Sequence, residues 1–289
     1  MTETGTLRRA RPREPSVAEA SIAAIVTVLD EQKNIRDLLD SLAAQAEPFE
    51  VVVVDAGSTD GTWETLQDYA EDWGDLQLHR KRGQRGACRN FAVEQTDADA
   101  VAFIDGDCIA NPFWAEHLRE GYAENDIVAG RTIDIGYWAF ETLQRVELER
   151  NGTDVTYPSC NLLYDRELFE AVGGFDDAFV TAEDIDLNLR AVDAGHTIAV
   201  DEDAIVYHRA RDSFTSFFQQ AYWNGYGRKQ LTLKHGGRLW QRYSFRRMLD
   251  TQMHFWGLAR LAVAAGGYMS AYVGEDAWSG TDDATSENA

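Results

Sequence analysis

Apolar runs and helical stripes alternate along the first hundred residues. IAAIVTV at 22–28 is an unbroken apolar run of strand length, and NIRDLLDSLAAQ at 34–45 places Ile35, Leu38, Leu39 and Leu42 on one helical face. FEVVVVDAGSTDGT at 49–62 reads as a second buried strand ending in polar and glycine residues. TWETLQDYAEDW (62–73) predicts a helix with Asp60 as its N-cap, LQLHR (76–80) a short strand, GACRNFAVEQT (86–96) a helix, and AVAFID (100–105) the next strand. Strands that are apolar on both faces, separated by amphipathic helices, predict an α/β domain. Its sheet is mostly parallel, with helices on both sides. In such sheets ligands bind beyond the carboxyl ends of the strands. Acidic side chains collect at those ends: Asp30 and Glu31, Asp55, then Asp105 and Asp107.

The second half mixes elements. A helix is expected over 136–150, a strand at CNLLYD (160–165), and a short helix in RELFEAVGG that stops at Gly173-Gly174. EDIDLNLRAVDAG (183–195) predicts a helix, and TIAVDEDAIVYH (197–208) one or two strands. Everything from 212 onward is helical and aromatic in pattern. The division expected is a polar leader over 1–20, the α/β domain over 21–210, a helical extension over 211–274 and an acidic tail over 275–289.

Charge changes this picture. The 289 residues carry 27 basic and 49 acidic side chains, a net charge of −22, which argues against nucleic acid as a partner. Acidic excess with only four lysines (Lys33, Lys81, Lys229 and Lys234) fits a protein kept soluble at high salt, as in haloarchaea. Three cysteines without CxxC spacing fit neither a disulfide framework nor a zinc site, and reduced thiols place the chain in the cytoplasm. Cys108 and Cys160 read as small packing residues. RRARPR at 8–13 has no apolar run behind it before residue 21, so no secretory signal is expected.

Several stretches carry candidate chemistry, each with a plain alternative. In FIDGDC, Asp105 and Asp107 flank Gly106. On an extended segment both carboxylates face one way, which suits a divalent cation, yet Asp-Gly after apolar residues is also a turn signal. KRGQRGACRN (81–90) gathers Lys81, Arg82, Arg85 and Arg89 around two glycines, fit for a diphosphate or for a solvated loop. Glu183, Asp184 and Asp186 crowd a helix N-terminus, where the dipole alone favours carboxylates. His208 closes a strand as a lone histidine, a metal ligand or an ordinary satisfied side chain.

IVTVLDEQKNIRDLLDSLAAQ, EVVVVDAGSTDGT, RGACRNFAVEQ, FIDGDC, GGFDDAFVTAEDIDLNLR and VYH occur in that order. Together they resemble the inverting glycosyltransferases of family 2, which have the Rossmann-like GT-A fold; the likeness covers about residues 20–210. The resemblance implies a nucleotide-sugar donor and a divalent cation, Mn²⁺ or Mg²⁺. Asp107 would ligate the ion, with Asp105 at the ribose or the metal and His208 completing the site. It implies nucleotide contact at Asp55, diphosphate recognition by Arg85 and Arg89, a donor or acceptor pocket lined by Asn161, and a catalytic base at Asp184 supported by Glu183. Asp30, followed by Glu31, stands where the family usually has Asn or a similar residue near the nucleotide. Rival readings of the same pattern are a nucleotidyltransferase and a non-catalytic glycan-assembly subunit.

The last eighty residues invert the charge. Between 209 and 247 nine basic residues (Arg209, Arg211, Arg228, Lys229, Lys234, Arg238, Arg242, Arg246 and Arg247) face Asp212 alone, interleaved with aromatics. HFWGLARLAVAAGGYMSAYVG (254–274) is apolar but broken by Arg260 and glycines, a poor membrane span. A basic, aromatic, amphipathic helix pair reads as binding at a membrane interface. The expectation is a peripheral enzyme on the cytoplasmic face of the cell membrane. Its acceptor would be a lipid-linked glycan on polyprenyl (dolichol) phosphate, in the assembly of N-linked glycans for surface-layer glycoproteins.

Overall fold

The structure, a computed structural model, describes residues 20–46, 49–136, 145–209, 213–236 and 255–271. The expected leader and acidic tail lie outside these residues, as do Arg211, Arg238, Arg242, Arg246 and Arg247. Five elements open the chain: β1 (Ile22–Val28), α1 (Ile35–Ala43), β2 (Glu50–Asp55), α2 (Thr62–Asp72) and β3 (Leu76–Arg80). α3 (Arg85–Val93), β4 (Ala100–Asp105), β5 (Cys108–Ala110), α4 (Trp114–Tyr122) and β6 (Ile127–Ile135) follow. A hairpin of β7 (Glu149–Arg150) and β8 (Thr153–Asp154) leads through a 3₁₀ turn at Ser159–Asn161 into β9 (Leu162–Asp165). The chain then forms α5 (Arg166–Ala171), α6 (Glu183–Asp193), β10 (Ala199–Arg209), α7 (Phe214–His235) and α8 (Phe255–Ser270).

Eight strands form one sheet in the order β3-β2-β1-β4-β9-β6-β10-β5. The first four are parallel; β9 runs against both β4 and β6, and β5 runs against β10. The apolar runs explain the layering, because successive side chains go to opposite cores. Ile25, Val52, Val54, Val101 and Phe103 face one core, while Ala24, Val26, Val51, Val53, Ala102 and Ile104 face the other. Register then aligns the strand ends. Val28 pairs with Asp55, Thr27 with Asp105, and Asp55 with Arg80, so the acidic ends share one edge of the sheet. Strand β10 places His208 beside Cys108 on one side and Asp134 on the other.

Two local expectations change, and a third narrows. The helix expected over 136–150 is a hairpin strand at Glu149–Arg150, and 137–144 lie outside the described residues. Gly61, at φ 98°, takes the N-cap position of α2 in place of Asp60. Asp60 serves one residue earlier, accepting from the Thr62 N–H at 3.0 Å and the Gln32 N–H at 3.0 Å. The segment 197–208 holds one strand, β10, with a bulge between Asp201 and Ile205.

Helices α7 and α8 meet backbone to backbone. A Cβ on Gly225 would lie 1.8 Å from the Ala264 carbonyl oxygen, and one on Gly267 would lie 1.9 Å from that of Tyr222. Only glycine permits that approach. Tyr222 donates to Ser270 Oγ at 2.7 Å, and Phe214 stacks on Trp256 with ring centroids 5.0 Å apart. Among the described residues no helix is long and apolar enough to cross a membrane.

Candidate active site

The carboxyl edge of the sheet gathers most of the expected residues, and Arg89 ties them together. Its guanidinium, 1% exposed, donates to Asp105 at 2.5 Å and to Glu183 at 2.9 Å, with its carbon 5.3 Å from the Phe175 ring centre. One buried cation thus joins the strand end of β4 to the first turn of α6. Arg89, expected to meet a diphosphate, here directs two of its donors to these carboxylates. Of the same basic stretch, Lys81 lies over the Phe91 ring at 4.7 Å and the Arg82 side chain covers Gly57. Arg85 is half-exposed, 3.8 Å from Glu183. Asp105 with Glu183, Asp184 and Asp107 strengthens the proton affinity of Arg85. Of the basic stretch, Arg82 and Arg85 are therefore the exposed arginines at this edge.

Glu183 and Asp184 are neighbours with opposite electrostatic settings. Glu183 is 3% exposed and neutralised by Arg89. Among the described residues Asp184 accepts from backbone N–H groups, of Ile185 at 2.8 Å and Ser159 at 3.3 Å. Burial, reinforced by the Glu183 charge, pushes its carboxyl up to about 6, against an opposing pull from Arg89. A carboxylate that titrates near neutrality beside one paired with a buried guanidinium is the pattern of a general base and its electrostatic neighbour. The turn that aims them is strained: Ala182 has φ 64°, unusual for a residue with a Cβ.

Asp107 and His208 face each other, with His208 Nε2 3.7 Å from Asp107 Oδ2. The other ring nitrogen, Nδ1, lies 2.8 Å from Asp134 Oδ1, which turns Nε2 toward Asp107. Burial lowers the proton affinity of His208, but the Asp134 hydrogen bond and nearby negative groups outweigh it and raise its pKa to about 10. Gly106 is required here, since a Cβ would meet Val28 Cγ1 at 2.8 Å. A carboxylate oxygen and an imidazole nitrogen suit Mn²⁺, and two protein ligands leave positions for phosphate oxygens and water. Asp105, expected at the ribose or the metal, is paired with Arg89. Among the described residues no three His, Cys, Asp or Glu side chains form a metal-binding group. The residues present thus fit a cation shared with the donor, not one caged by protein.

Two other expected contacts are drawn into the scaffold. Asp55 is fully buried. Its Oδ1 accepts from the Gly57 N–H (3.0 Å), the Ser58 N–H (2.8 Å) and the Ser58 hydroxyl (2.7 Å), and its Oδ2 takes Arg80 Nε at 3.0 Å. Burial alone would raise its pKa; the Ser58 and Gly57 hydrogen bonds and the Arg80 charge outweigh that and hold it below the usual carboxylate range. The turn role is the one observed. Asn161 is 1% exposed and saturated, accepting from the Trp114 indole at 2.9 Å and donating to Ala204 and Arg131 carbonyls at 2.8 and 3.1 Å. It braces β6, β10 and α4, a correction to its expected place on a pocket wall. Asp30 stays at the edge, at φ 55°, accepting from the Thr59 N–H at 2.8 Å.

Sequence reasoning missed Arg80, Asp134, Lys234 and His235 as supports of this region. Arg80 and Asp134 sit at strand ends beside Asp55 and His208, a placement that only register reveals. Cys108 and Cys160 are buried free thiols, in keeping with a packing role.

Comparison with known proteins meets this geometry from outside. The family described as "Glycosyl transferase family 2" matches residues 23–173, and "Glycosyl transferase family group 2" matches 138–276. This chain belongs to glycosyltransferase family 2. It is 30% identical over 207 residues to Glycosyltransferase AglE of Haloferax volcanii, covering 66% of this chain and 67% of that protein. It is 27% identical over 252 residues to the Glucosyl-dolichyl phosphate glucuronosyltransferase of the same organism, covering 74% of this chain and 78% of that one. Among solved structures, the mannosyltransferase PcManGT from Pyrobaculum calidifontis, in complex with GDP-Man and Mn²⁺, superposes with a TM-score of 0.61. That match has 19% identity and covers 88% of this chain and 75% of that chain. The fold of this family 2 glycosyltransferase is therefore GT-A, with a helical C-terminal extension.

Proposed function

We propose that this glycosyltransferase moves a sugar, with inversion, from a UDP-linked nucleotide sugar to a hydroxyl of a lipid-linked glycan on polyprenyl (dolichol) phosphate. The work would be done at the cytoplasmic face of the membrane, in the N-glycosylation of surface-layer proteins. The observation that carries the chemistry is Asp184, a carboxylate raised toward neutrality one residue from the Arg89-neutralised Glu183. A nucleotidyltransferase, which displaces pyrophosphate, has no need of such a base.

Asp184 takes the proton of the acceptor hydroxyl as its oxygen bonds to the anomeric carbon. The bond from that carbon to the diphosphate breaks, and its electron pair leaves with the phosphate oxygen. Asp107 and His208 would hold the divalent cation, which neutralises charge developing on the diphosphate. Arg82 and Arg85 stand as the exposed cations for the same phosphates. Arg89 pairs with both Asp105 and Glu183 and fixes them, so the donor edge and the base keep one spacing. The haloarchaeal dolichyl phosphate relative supports a lipid-linked acceptor, and the Mn²⁺ complex of the archaeal mannosyltransferase supports the cation.

The membrane reading rests on α8. Leu258 (49% exposed), Ala262, Ala265 and Met269 (64% exposed) form one exposed apolar stripe at helical spacing. Arg260 lies on the opposite face. Exposed Trp223 and Phe214 on α7 add aromatic surface.

The deciding experiment offers UDP- and GDP-sugars with Mn²⁺ and a polyprenyl-phosphate-linked glycan, scored by nucleoside diphosphate release and by glycolipid mass. A sugar added to the lipid-linked glycan is expected. Release of pyrophosphate, or turnover that ignores the lipid acceptor, would sink the reading.

A further inference from the structure

The first turn of α6 enters through the left-handed Ala182, where the Cβ crowds its own backbone, and such a turn persists only when its surroundings hold it. One face of α7 does so. Gly227 lies so close that a Cβ there would come within 2.6 Å of the Thr181 carbonyl oxygen. Gln230 clasps the approach to the turn, donating to the Ala178 carbonyl at 3.0 Å and accepting from the Val180 N–H at 3.4 Å. On the far side of the turn, Lys234 Nζ reaches Asp186 at 2.9 Å and Asp176 at 2.6 Å, and His235 Nε2 lies 2.7 Å from Asp186. Gly227, Gln230 and Lys234 are spaced three and four apart, the repeat of a single helix face.

Asp186 is the anchor that receives this grip. It is fully buried, two residues beyond Asp184, and also accepts from Arg190 Nε at 2.9 Å. Arg190 in turn donates to the Val172 carbonyl and, at 2.5 Å, to that of Gly174. The loop that ends in Phe175, whose ring lies under Arg89, is thereby tied to the same node.

We infer that Gly227, Gln230, Lys234 and His235 are positioning residues for the proposed base. They hold both flanks of the Ala182 turn and so set where the Asp184 carboxyl stands, although none of them takes the proton. The inference rests on the reading of Asp184 as base. It makes α7 part of the catalytic apparatus as well as a surface.

The test uses the full chain with UDP-sugar, Mn²⁺ and the lipid-linked acceptor. The double variant Lys234→Ala/His235→Ala is expected to lose about 10- to 100-fold in kcat, as a small misplacement of a reacting group does. Donor KM and the affinity for UDP with Mn²⁺ should stay within about twofold. Lys234→Arg/His235→Gln, which keeps a donor at each position, should recover most of that kcat. A double variant that melts earlier but turns over at the wild-type rate would overturn the inference. Should the double variant not fold, Gln230→Ala carries the test with every ion pair intact, and unchanged kcat there would overturn it equally. Asp184→Asn, run alongside, separates the two failures. If it keeps transfer, the base reading falls; if it loses transfer while the α7 variants do not, only the positioning inference falls.

Discussion

The donor edge and the acceptor turn of this molecule are built on opposite principles. At the donor edge Asp55 is saturated by four hydrogen bonds and held ionised, and Asp105 is locked by Arg89. Burial works against the charge on Asp105, but Arg89 and Arg85 override it and lower its pKa. At the acceptor turn Asp184 is left with two backbone contacts and a raised pKa, and Ala182 before it is strained. The first region gains rigidity from satisfied groups; the second keeps an unfavourable charge where the proposed proton transfer would need one. Arg89 is the physical link between the two.

The most severe way to break the contrast is to remove the base. Asp184→Asn should lower transfer by about 10²- to 10⁴-fold, with UDP and Mn²⁺ binding retained, as read by product formation beside calorimetry. Equal loss of nucleotide binding would show that the two regions are not separable. Next comes the link itself. Arg89→Met leaves Asp105 and Glu183 buried without their cation and should cost about 3–5 kcal/mol in urea unfolding at pH 7.5. A cost below about 1 kcal/mol would mean that other groups neutralise the pair.

The same Asp184→Asn variant should be more stable than the wild type at pH 7.5, by up to about 3 kcal/mol, because ionising the partly buried, desolvated carboxyl opposes folding. The sign follows from a folded pKa of about 6 above the ordinary 3.8. The penalty is absent below pH 3.8, where the group is protonated in folded and unfolded chains alike, and complete once pH has risen past 6. Thermal melts at pH 4 and 7.5 read this directly. Wild-type kcat should correspondingly rise through an acid limb near pH 6, set by Asp184 with Glu183, Arg85 and Arg89 around it. A limb near 4 would place the base elsewhere. The smallest expected effect lies on the surface. Leu258→Glu/Met269→Glu should reduce flotation with anionic vesicles while leaving release of UDP in solution unchanged. Unaltered flotation would remove α8 from the membrane contact.

Much of this architecture was legible before any coordinates. IAAIVTV, VVVV and AVAFI are apolar at all positions but Thr27 because both sheet faces are covered, and the acids that follow each run mark its carboxyl end. The Asp105–Gly106–Asp107 segment and the Glu183–Asp184 pair were recognisable as the two acidic centres. Their partners were not. Arg89 looked like a phosphate ligand because local pattern shows a basic loop; it is a buried strut because α3 turns it inward between β4 and α6. Asn161 looked like a pocket residue and proved to be a brace among three elements.

The sequence by itself determined the alternation of strands and helices, the edge at which chemistry gathers, and the charge reversal near residue 210. These follow from periodicity and composition, which act over a few residues at a time. Only the tertiary structure decided which of two adjacent carboxylates is neutralised and which is left to titrate near 6. That choice depends on the reach of Arg89 across 94 residues of chain to Glu183 and on the desolvation of Asp184 beside it, contacts that no local pattern encodes. Burial and pairing set a carboxylate's pKa, and both are properties of the packed chain.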